Sequence, residues 1–475
     1  MRRSIPAAGT LCALALAAGC QAPEVPPRDA LPAPLRPAYS VVSGEPLSDR
    51  WWEAFDDPQL NALVEGMLKQ NLELKAAWAR LDQAAAVAEQ AGAGLQPALD
   101  LNAGASRTRV NRPTAPGKRT SNLFTIGLAA SYEIDLWGRV SAERDAARTD
   151  LSASREDTAA AAISLAASAA ETWFSLIEQH AQRRLLDEQI AVNRTYLELT
   201  ELRFAQGQAG ALDVYQQRLS LANTRGQIAP VEAAIRVLEH QLTVVLGGGP
   251  TDGFDVKDRA LPELPALPGL GVPSDILQRR PDVAAAFNRL KGADYRVAAA
   301  VADRYPALRL TAGTGYQGAR IQDIFDNWIW NIAGNIAAPL FDGGRRKAEV
   351  NRAKAVTVER LNAYGQTVLN AVREVEDALA QEEQQELFLR NLEIQVALAE
   401  ATLKEARQRY VNGLSDYLPV LTALEALHRL QRDRLSARRQ LISYRIQLCR
   451  AVGGVWPKSL EPSVKTAYSP SGEKR

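Results

Sequence analysis

The chain has 475 residues, with 56 Lys and Arg against 55 Asp and Glu, and only 3 His and 3 Cys. The near-zero net charge excludes a polyanion binder acting through bulk charge, and so few Cys and His leave little room for a zinc site or a disulfide scaffold. A mean hydropathy of -0.21 excludes a helical multi-span membrane protein but not a β-barrel, whose alternating strands vanish in an average. About 80 residues are alanine, the best helix former, so composition predicts closely packed helices.

The N-terminus reads as an address. Arg2 and Arg3 precede the apolar run Leu11–Ala18, then Gly19 and Cys20, which predicts a signal peptide over 1–19. Ala17-Ala18-Gly19-Cys20 resembles a bacterial lipobox, although Ala17 stands where Leu is commonest. Cys20 is then the lipidated first residue of the mature protein, and Gln21 in place of Asp favours the outer membrane. Residues 20–50 are Pro-rich, with Pro23, Pro26, Pro27, Pro32, Pro34, Pro37 and Pro46. Such a stretch favours an extended chain at about 3.1 Å per residue.

The remainder is one unit written twice. Trp137-Gly138-Arg139 returns as Gly343-Gly344-Arg345, and Arg203-Phe204-Ala205-Gln206-Gly207 returns as Arg409-Tyr410-Val411-Asn412-Gly413. Val214 matches Val420 and Gly247 matches Gly453, and all four pairs are 206 apart. A repeat of this length indicates duplication. The first repeat is expected over 51–246 and the second over 274–452. A Pro/Gly-rich linker (247–273) joins them, and a C-terminal tail (453–475) follows.

Each repeat opens with a helix, expected over Pro58–Leu95 and Ser274–Arg304. Strand candidates follow. In Leu123–Ile134 the even positions Phe124, Ile126, Leu128, Ala130, Tyr132 and Ile134 are apolar. Ala307–Gln317 and Asn327–Ala337 alternate likewise, with Tyr316, Trp328 and Trp330 among the apolar members. A period of two over ten residues marks a strand with one apolar face, long enough to cross a membrane with aromatics near the interfaces. A fourth strand, near Asp100–Val110, alternates weakly. The expected hairpins are 98–134 and 307–339.

Next comes a long helix in each repeat. Arg139 to Gln206 contains no Gly or Pro, and Arg345 to Asn412 contains only Gly365. At 1.5 Å per residue each would measure about 100 Å. Both end at a glycine, Gly207 or Gly413, the expected stop. Returning helices follow over Ala211–Leu246, with a kink expected at Pro230, and over Val420–Val452. Cys449 is expected to be a small core residue.

Four strands cannot close a barrel, and an open sheet edge in lipid leaves backbone groups unsatisfied. If the strands enter a membrane, two or three copies must share one barrel. The strand count does not choose between them.

In this order, several segments resemble the TolC-like outer-membrane factor family, and most closely its NodT-type efflux lipoproteins. They are Trp51-Trp52-Glu53-Ala54-Phe55-Asp56-Asp57-Pro58-Gln59-Leu60, Tyr132-Glu133-Ile134-Asp135-Leu136-Trp137-Gly138-Arg139, Arg279-Arg280-Pro281-Asp282-Val283, Tyr305-Pro306, and Leu340-Phe341-Asp342-Gly343-Gly344-Arg345. The resemblance implies a mainly helical homotrimer. Its twelve-stranded outer-membrane β-barrel would have four strands per chain and continue into a long periplasmic α-helical barrel. It implies a passive exit duct in the cell outer membrane, working with a periplasmic adaptor and an inner-membrane pump of the resistance-nodulation-division class. The helical tips would meet the adaptor through Arg203, Gly207, Gln208, Asp213, Arg409, Gly413, Leu414 and Ser415. The first tip keeps the family's Asp six residues after Gly, as Asp213. The second has Pro419 and Thr422 at the acidic positions, so a periplasmic gate is expected instead near Asp416, Tyr417 and Leu418. The membrane-interface aromatics would be Phe124, Tyr132, Tyr316, Trp328 and Trp330.

Other readings are weaker. Gly313-Thr314-Gly315-Tyr316-Gln317-Gly318 fits a dinucleotide fingerprint but lies on a strand candidate rather than opening a helix. His180, His240 and His428 are scattered over helices, and Glu382-Glu383 reads as part of a solvated face. No cofactor, nucleic-acid partner or enzymatic activity is expected. The competing functions are the outer-membrane component of a type I protein secretion system and a non-conducting structural envelope lipoprotein.

Overall fold

The computed structural model describes residues 39–40, 48–111, 118–250, 256, 260–269 and 273–453. The signal peptide, Cys20, most of the Pro-rich segment and residues 454–475 lie outside the described residues.

The elements run α1 (Pro58–Gln70), α2 (Leu72–Ala93), β1 (Ala98–Asn111), β2 (Lys118–Ile134), α3 (Arg139–Ala205), α4 (Ala211–Gly226), α5 (Ile228–Val245), α6 (Ile276–Arg279), α7 (Pro281–Ala302), β3 (Ala307–Gly318), β4 (Trp328–Ala337), α8 (Arg345–Val411) and α9 (Leu418–Val452). The chain divides into two compact units. Among the described residues, one holds Ala79–Glu156 and Ala284–Gln366, and with them the whole sheet; the other holds the rest.

The two long helices each span 67 residues, as the missing breakers require. Both open on an aspartate. Asp135 accepts the N–H groups of Val140 (3.0 Å) and Ser141 (2.7 Å), and Asp342 accepts those of Gly344 (3.0 Å) and Arg346 (3.2 Å). These carboxylates satisfy donors that the first helical turn leaves orphaned. Burial pushes the Asp135 pKa up, but Ser141, Val140 and Arg139 outweigh it and hold the carboxyl below its usual range.

Three expected helices are broken. Asn71 separates α1 from α2, because its Oδ1 accepts the Leu74 N–H at 3.0 Å and its Nδ2 donates to the Val245 carbonyl at 2.9 Å. A short polar side chain that bonds the local backbone competes with helix continuation. Arg280 separates α6 from α7, since the residue before Pro281 is driven from helical angles. The return helix of the first repeat breaks at Gln227, three residues before Pro230, which cannot supply the N–H owed to the Gly226 carbonyl.

The second unit has a core of Trp51, Trp52, Phe55, Leu60, Met67, Trp173, Phe174 and Ile177. Ala162, Ala166, Ala167, Ala169 and Ala170 of α3 line the same cluster. Their small size accounts for part of the alanine content: methyl groups let the neighbouring elements close on α3. Asp57 caps α1 through the Gln59 N–H (2.9 Å) and accepts the Trp173 indole N–H at 2.8 Å. Cys449 is buried in this cluster, which pushes its thiol up to about 12.

The reading of Glu382 as solvated is wrong. Its carboxylate is buried and paired with Arg445 (Nε to Oε2, 2.8 Å). Arg445 also donates to the Pro265 carbonyl, and Arg438 to that of Pro262 (3.3 Å), which ties the inter-repeat linker to α9. A charge run shows sign but not facing; the 3.6-residue turn places Glu383 outside and Glu382 inside.

Candidate functional site: the sheet face and the helical tips

The sheet order is β1-β2-β3-β4, antiparallel throughout. Register aligns the alternation of all four strands. Leu101 faces Leu128, which faces Thr314, which faces Trp330; Ile126 faces Tyr316, which faces Trp328. Directly opposed residues share a face. One face therefore carries Leu99, Leu101, Ala103 and Ala105, then the even residues Phe124–Ile134, Leu308–Tyr316 and Trp328–Ile336. Across that span it bears no charge. The weak alternation of β1 is resolved here, because its odd residues, with Leu99 outside the expected strand, join the apolar face. The other face is polar, with Asn102, Thr125, Ser131, Glu133, Arg309, Thr311, Gln317, Asn331 and Asn335. From Ile134 to Phe124 the apolar face runs about 33 Å along the strand, or about 25 Å vertically at a barrel's usual tilt, the height of a lipid-facing band.

Phe124, Tyr316 and Trp328 cluster toward the loop end of the sheet, and Tyr132 lies toward the helix end. Trp330 sits two residues further from the loop end than Trp328, level with Leu128. The Gly-rich run is strand β3, as its alternation predicts. Gly127 and Gly315 are register partners on the polar face. A Cβ on Gly127 would lie 2.6 Å from the Thr314 carbonyl oxygen, and one on Gly315 would lie 2.5 Å from that of Ile126. The strands are coiled tightly enough here to exclude any side chain.

Where strands meet helices, Trp137 stacks on Tyr305 at 4.8 Å and donates its indole N–H to the Pro306 carbonyl at 2.8 Å. They border an 830 Å³ cavity that Glu133, Arg139, Asp303, Arg346, Leu340 and Phe341 also line. Glu133 accepts Arg139 (2.8 Å) and Arg309 (3.2 Å), bracing the junction. Leu340 and Phe341 are 95% and 94% exposed.

The tips lie in the second unit and repeat one device. The Gln208 N–H reaches the Arg203 carbonyl (2.8 Å) and the Gly207 N–H that of Phe204 (2.9 Å); Leu414 reaches Arg409 (2.8 Å) and Gly413 reaches Tyr410 (3.0 Å). This is the paired Schellman closure, with φ of 71° at Gly207 and 73° at Gly413. Asp213 turns back to accept the Gly210 N–H at 3.3 Å. The Arg203 guanidinium sits 4.5 Å over the Tyr410 ring and donates to the Val411 carbonyl at 3.4 Å, so the two tips touch within one chain. Gln208 and Leu414 are exposed, with Arg203, Asp213 and Ser415 half-buried.

The three expected gate residues separate. Asp416 and Leu418 are exposed, but Tyr417 is completely buried. Its ring meets Tyr410 at 5.2 Å and its hydroxyl donates to Gln217 Oε1 at 2.6 Å. Burial drives its pKa up, so the hydroxyl stays protonated and donates. Tyr417 thus packs between the tips of its own chain and does not line an opening.

A polar seam missed by the sequence reading continues from it. Gln217 Nε2 donates to the Asn193 carbonyl (2.9 Å) and Asn193 Nδ2 to Thr224 Oγ1 (2.9 Å). Further along α3, Gln189 donates to the His428 carbonyl (3.0 Å) and Gln182 to that of Arg432 (3.0 Å). Spacing of seven and then four residues, Gln182 to Gln189 to Asn193, was the available signal, since it places side chains on one stripe.

A family model described as outer membrane efflux protein matches residues 63–248 and 272–454. The pyoverdine export outer membrane protein OpmQ of Pseudomonas aeruginosa is 31% identical, over 94% of this chain and 96% of that one. The antibiotic efflux pump outer membrane protein ArpC of Pseudomonas putida is 30% identical, over 92% and 91%. The solved outer-membrane channel OprN superposes with a TM-score of 0.84 at 27% identity, covering 89% of this chain and 98% of its own.

Proposed function

Because this chain belongs to the outer membrane efflux protein family, we propose that three copies close their sheets into one twelve-stranded barrel and act as the passive exit duct of a tripartite efflux system. The protein is an outer-membrane efflux channel. The supporting observation is the sheet itself. It has an uncharged apolar face of bilayer height, a polar opposite face, and unpaired edges on β1 and β4 that lipid does not tolerate. The polar face then lines the water path and Leu340 and Phe341 find cover on a neighbouring copy. Cys20 anchors each chain by acylation. The Gly-capped tips receive a periplasmic adaptor through exposed Gln208 and Leu414 and half-buried Asp213, and the adaptor links them to an inner-membrane pump of the resistance-nodulation-division class. Energy comes from that pump, and the chain itself performs no chemistry. Single-channel recording of the purified protein in planar bilayers tests this. Discrete conductance steps are expected, and their absence under all voltages would overturn the duct.

A further inference from the structure

From Leu101 to Tyr132 the sequence holds five Lys and Arg and no Asp or Glu. Two of those cations, Arg107 and Arg109, have described side chains, both exposed. Register fixes their facing. Arg107 is opposite Asn122 and Arg109 opposite Thr120, both in phase with Ala105 and Phe124 on the apolar, lipid-directed face. They stand two and four residues beyond the aromatic level, about 5 and 10 Å above the apolar band. A cation on the lipid face is costly at the bilayer midplane but not near the interface. Two arginines on this face, absent from the band and present just past it, therefore mark the headgroup layer. Neither forms an ion pair with a described residue, and the residues opposite them are uncharged.

The other loop end differs. Arg320 pairs with Asp323 (2.7 Å), and Asp326 lies nearby, so that hairpin offers no excess cation. Among the described side chains of the two loop ends, the cations without an ion pair are Arg107 and Arg109, and register directs both outward rather than toward the polar face.

We propose that Arg107 and Arg109 form a site for the phosphate groups of the phosphorylated glycolipids of the outer leaflet, holding such a lipid against the barrel wall beside Phe124. Guanidinium groups present paired N–H donors that match phosphate oxygens, and charge-assisted bonds of this kind are the strong ones. Below them Ala105 and Ala103 leave a shallow strip beside Phe124 and Ile126 along which an acyl chain can lie. The proposal rests on the sheet standing in the outer membrane.

The test uses full-length protein in dodecyl maltoside, titrated with bis-phosphorylated lipid A and with lipid A lacking both phosphates, and bound lipid is counted by native mass spectrometry. The unaltered protein should prefer the phosphorylated lipid by about tenfold or more. That preference should shrink as salt rises, because the pair is exposed. R107Q/R109Q should lose it while R320Q retains it. Equal binding of the two lipids to the unaltered protein overturns the proposal. So does an undiminished preference in R107Q/R109Q, the result expected if the arginines instead meet an acidic side chain such as Asp326 of a neighbouring copy. Should R107Q/R109Q fail to assemble, R107K/R109K must show a weakened but salt-sensitive preference, and a full-strength one overturns the proposal. Conductance of the same preparation separates the two readings: a conducting protein without lipid preference refutes the lipid site alone, and a lipid-selective protein without conductance refutes the duct alone.

Discussion

Tyr417 and Gln217, 200 residues apart and in opposite halves of a duplicated chain, share a buried 2.6 Å hydrogen bond. The bond fastens the tip of the second half to the return helix of the first. Tyr417→Phe leaves the Gln217 oxygen buried without that donor and should cost about 1–3 kcal/mol. Urea unfolding of the purified protein checks this. Q217L should cost a similar amount, and the pair Y417F/Q217L less than the sum, because both remove one interaction. Strict additivity would show that the bond contributes nothing.

Gly413 holds φ at 73° with open space around it, so only backbone strain opposes a side chain there. Gly413→Ala should destabilise the second tip by about 1–2 kcal/mol. Faster amide hydrogen exchange at Leu414, whose N–H closes the turn, is the expected signature, with the far end of α9 unchanged.

Gly127 and Gly315 allow close strand approach on the polar face. G127V or G315V should prevent assembly, read as the absence of a high-mass oligomer band on unheated gels that the unaltered protein is expected to give, since the added carbons meet backbone oxygens that cannot swing aside. An assembled, conducting G127V protein would show the sheet to be looser than its register implies.

His428 is buried in α9, and burial, reinforced by Arg432, lowers its pKa to about 4. Its ordinary value is about 6.5, so the unfolded chain binds the proton first as pH falls. The stabilisation from keeping the ring neutral is complete above about pH 6.5, declines below it and is gone beneath about pH 4, about 3 kcal/mol in all. Urea midpoints at pH 7.5, 5.5 and 4.5 should fall less steeply in His428→Asn than in the unaltered protein.

Leu340 and Phe341 are almost fully exposed in one chain, so L340S/F341S should leave helix content intact. If a neighbouring copy covers them, the double variant should shift the protein from trimer to monomer in light scattering. An unchanged trimer would place their cover elsewhere.

Much of this was legible because duplication makes two observations of one pattern. Gly207 and Gly413 announced equivalent turns, and runs without Pro, broken by no glycine in the first and by Gly365 alone in the second, announced both long helices. The strands were readable wherever alternation was strong. β1 was faint because its lipid-face positions include small Ala103 and Ala105, and only pairing with β2 reveals their facing. Breaks at Asn71, Arg280 and Gln227 depend on single side chains and single prolines, which periodicity averages away. Tyr417 was misplaced because proximity to a turn says nothing of which neighbour a ring meets. Its partner Gln217 lies on a different helix, beyond the reach of any local pattern.

The open sheet has a consequence for biogenesis. Until its neighbours arrive, a newly delivered chain carries Trp328-Ile329-Trp330-Asn331-Ile332 along a bare edge, a template on which any stray strand can grow. Because closure requires several encounters, its rate rises more steeply than chain concentration, whereas a wrong pairing requires only one. The hazardous interval is therefore longest when synthesis is slow, and any tether that confines chains to a surface shortens it by raising their local density.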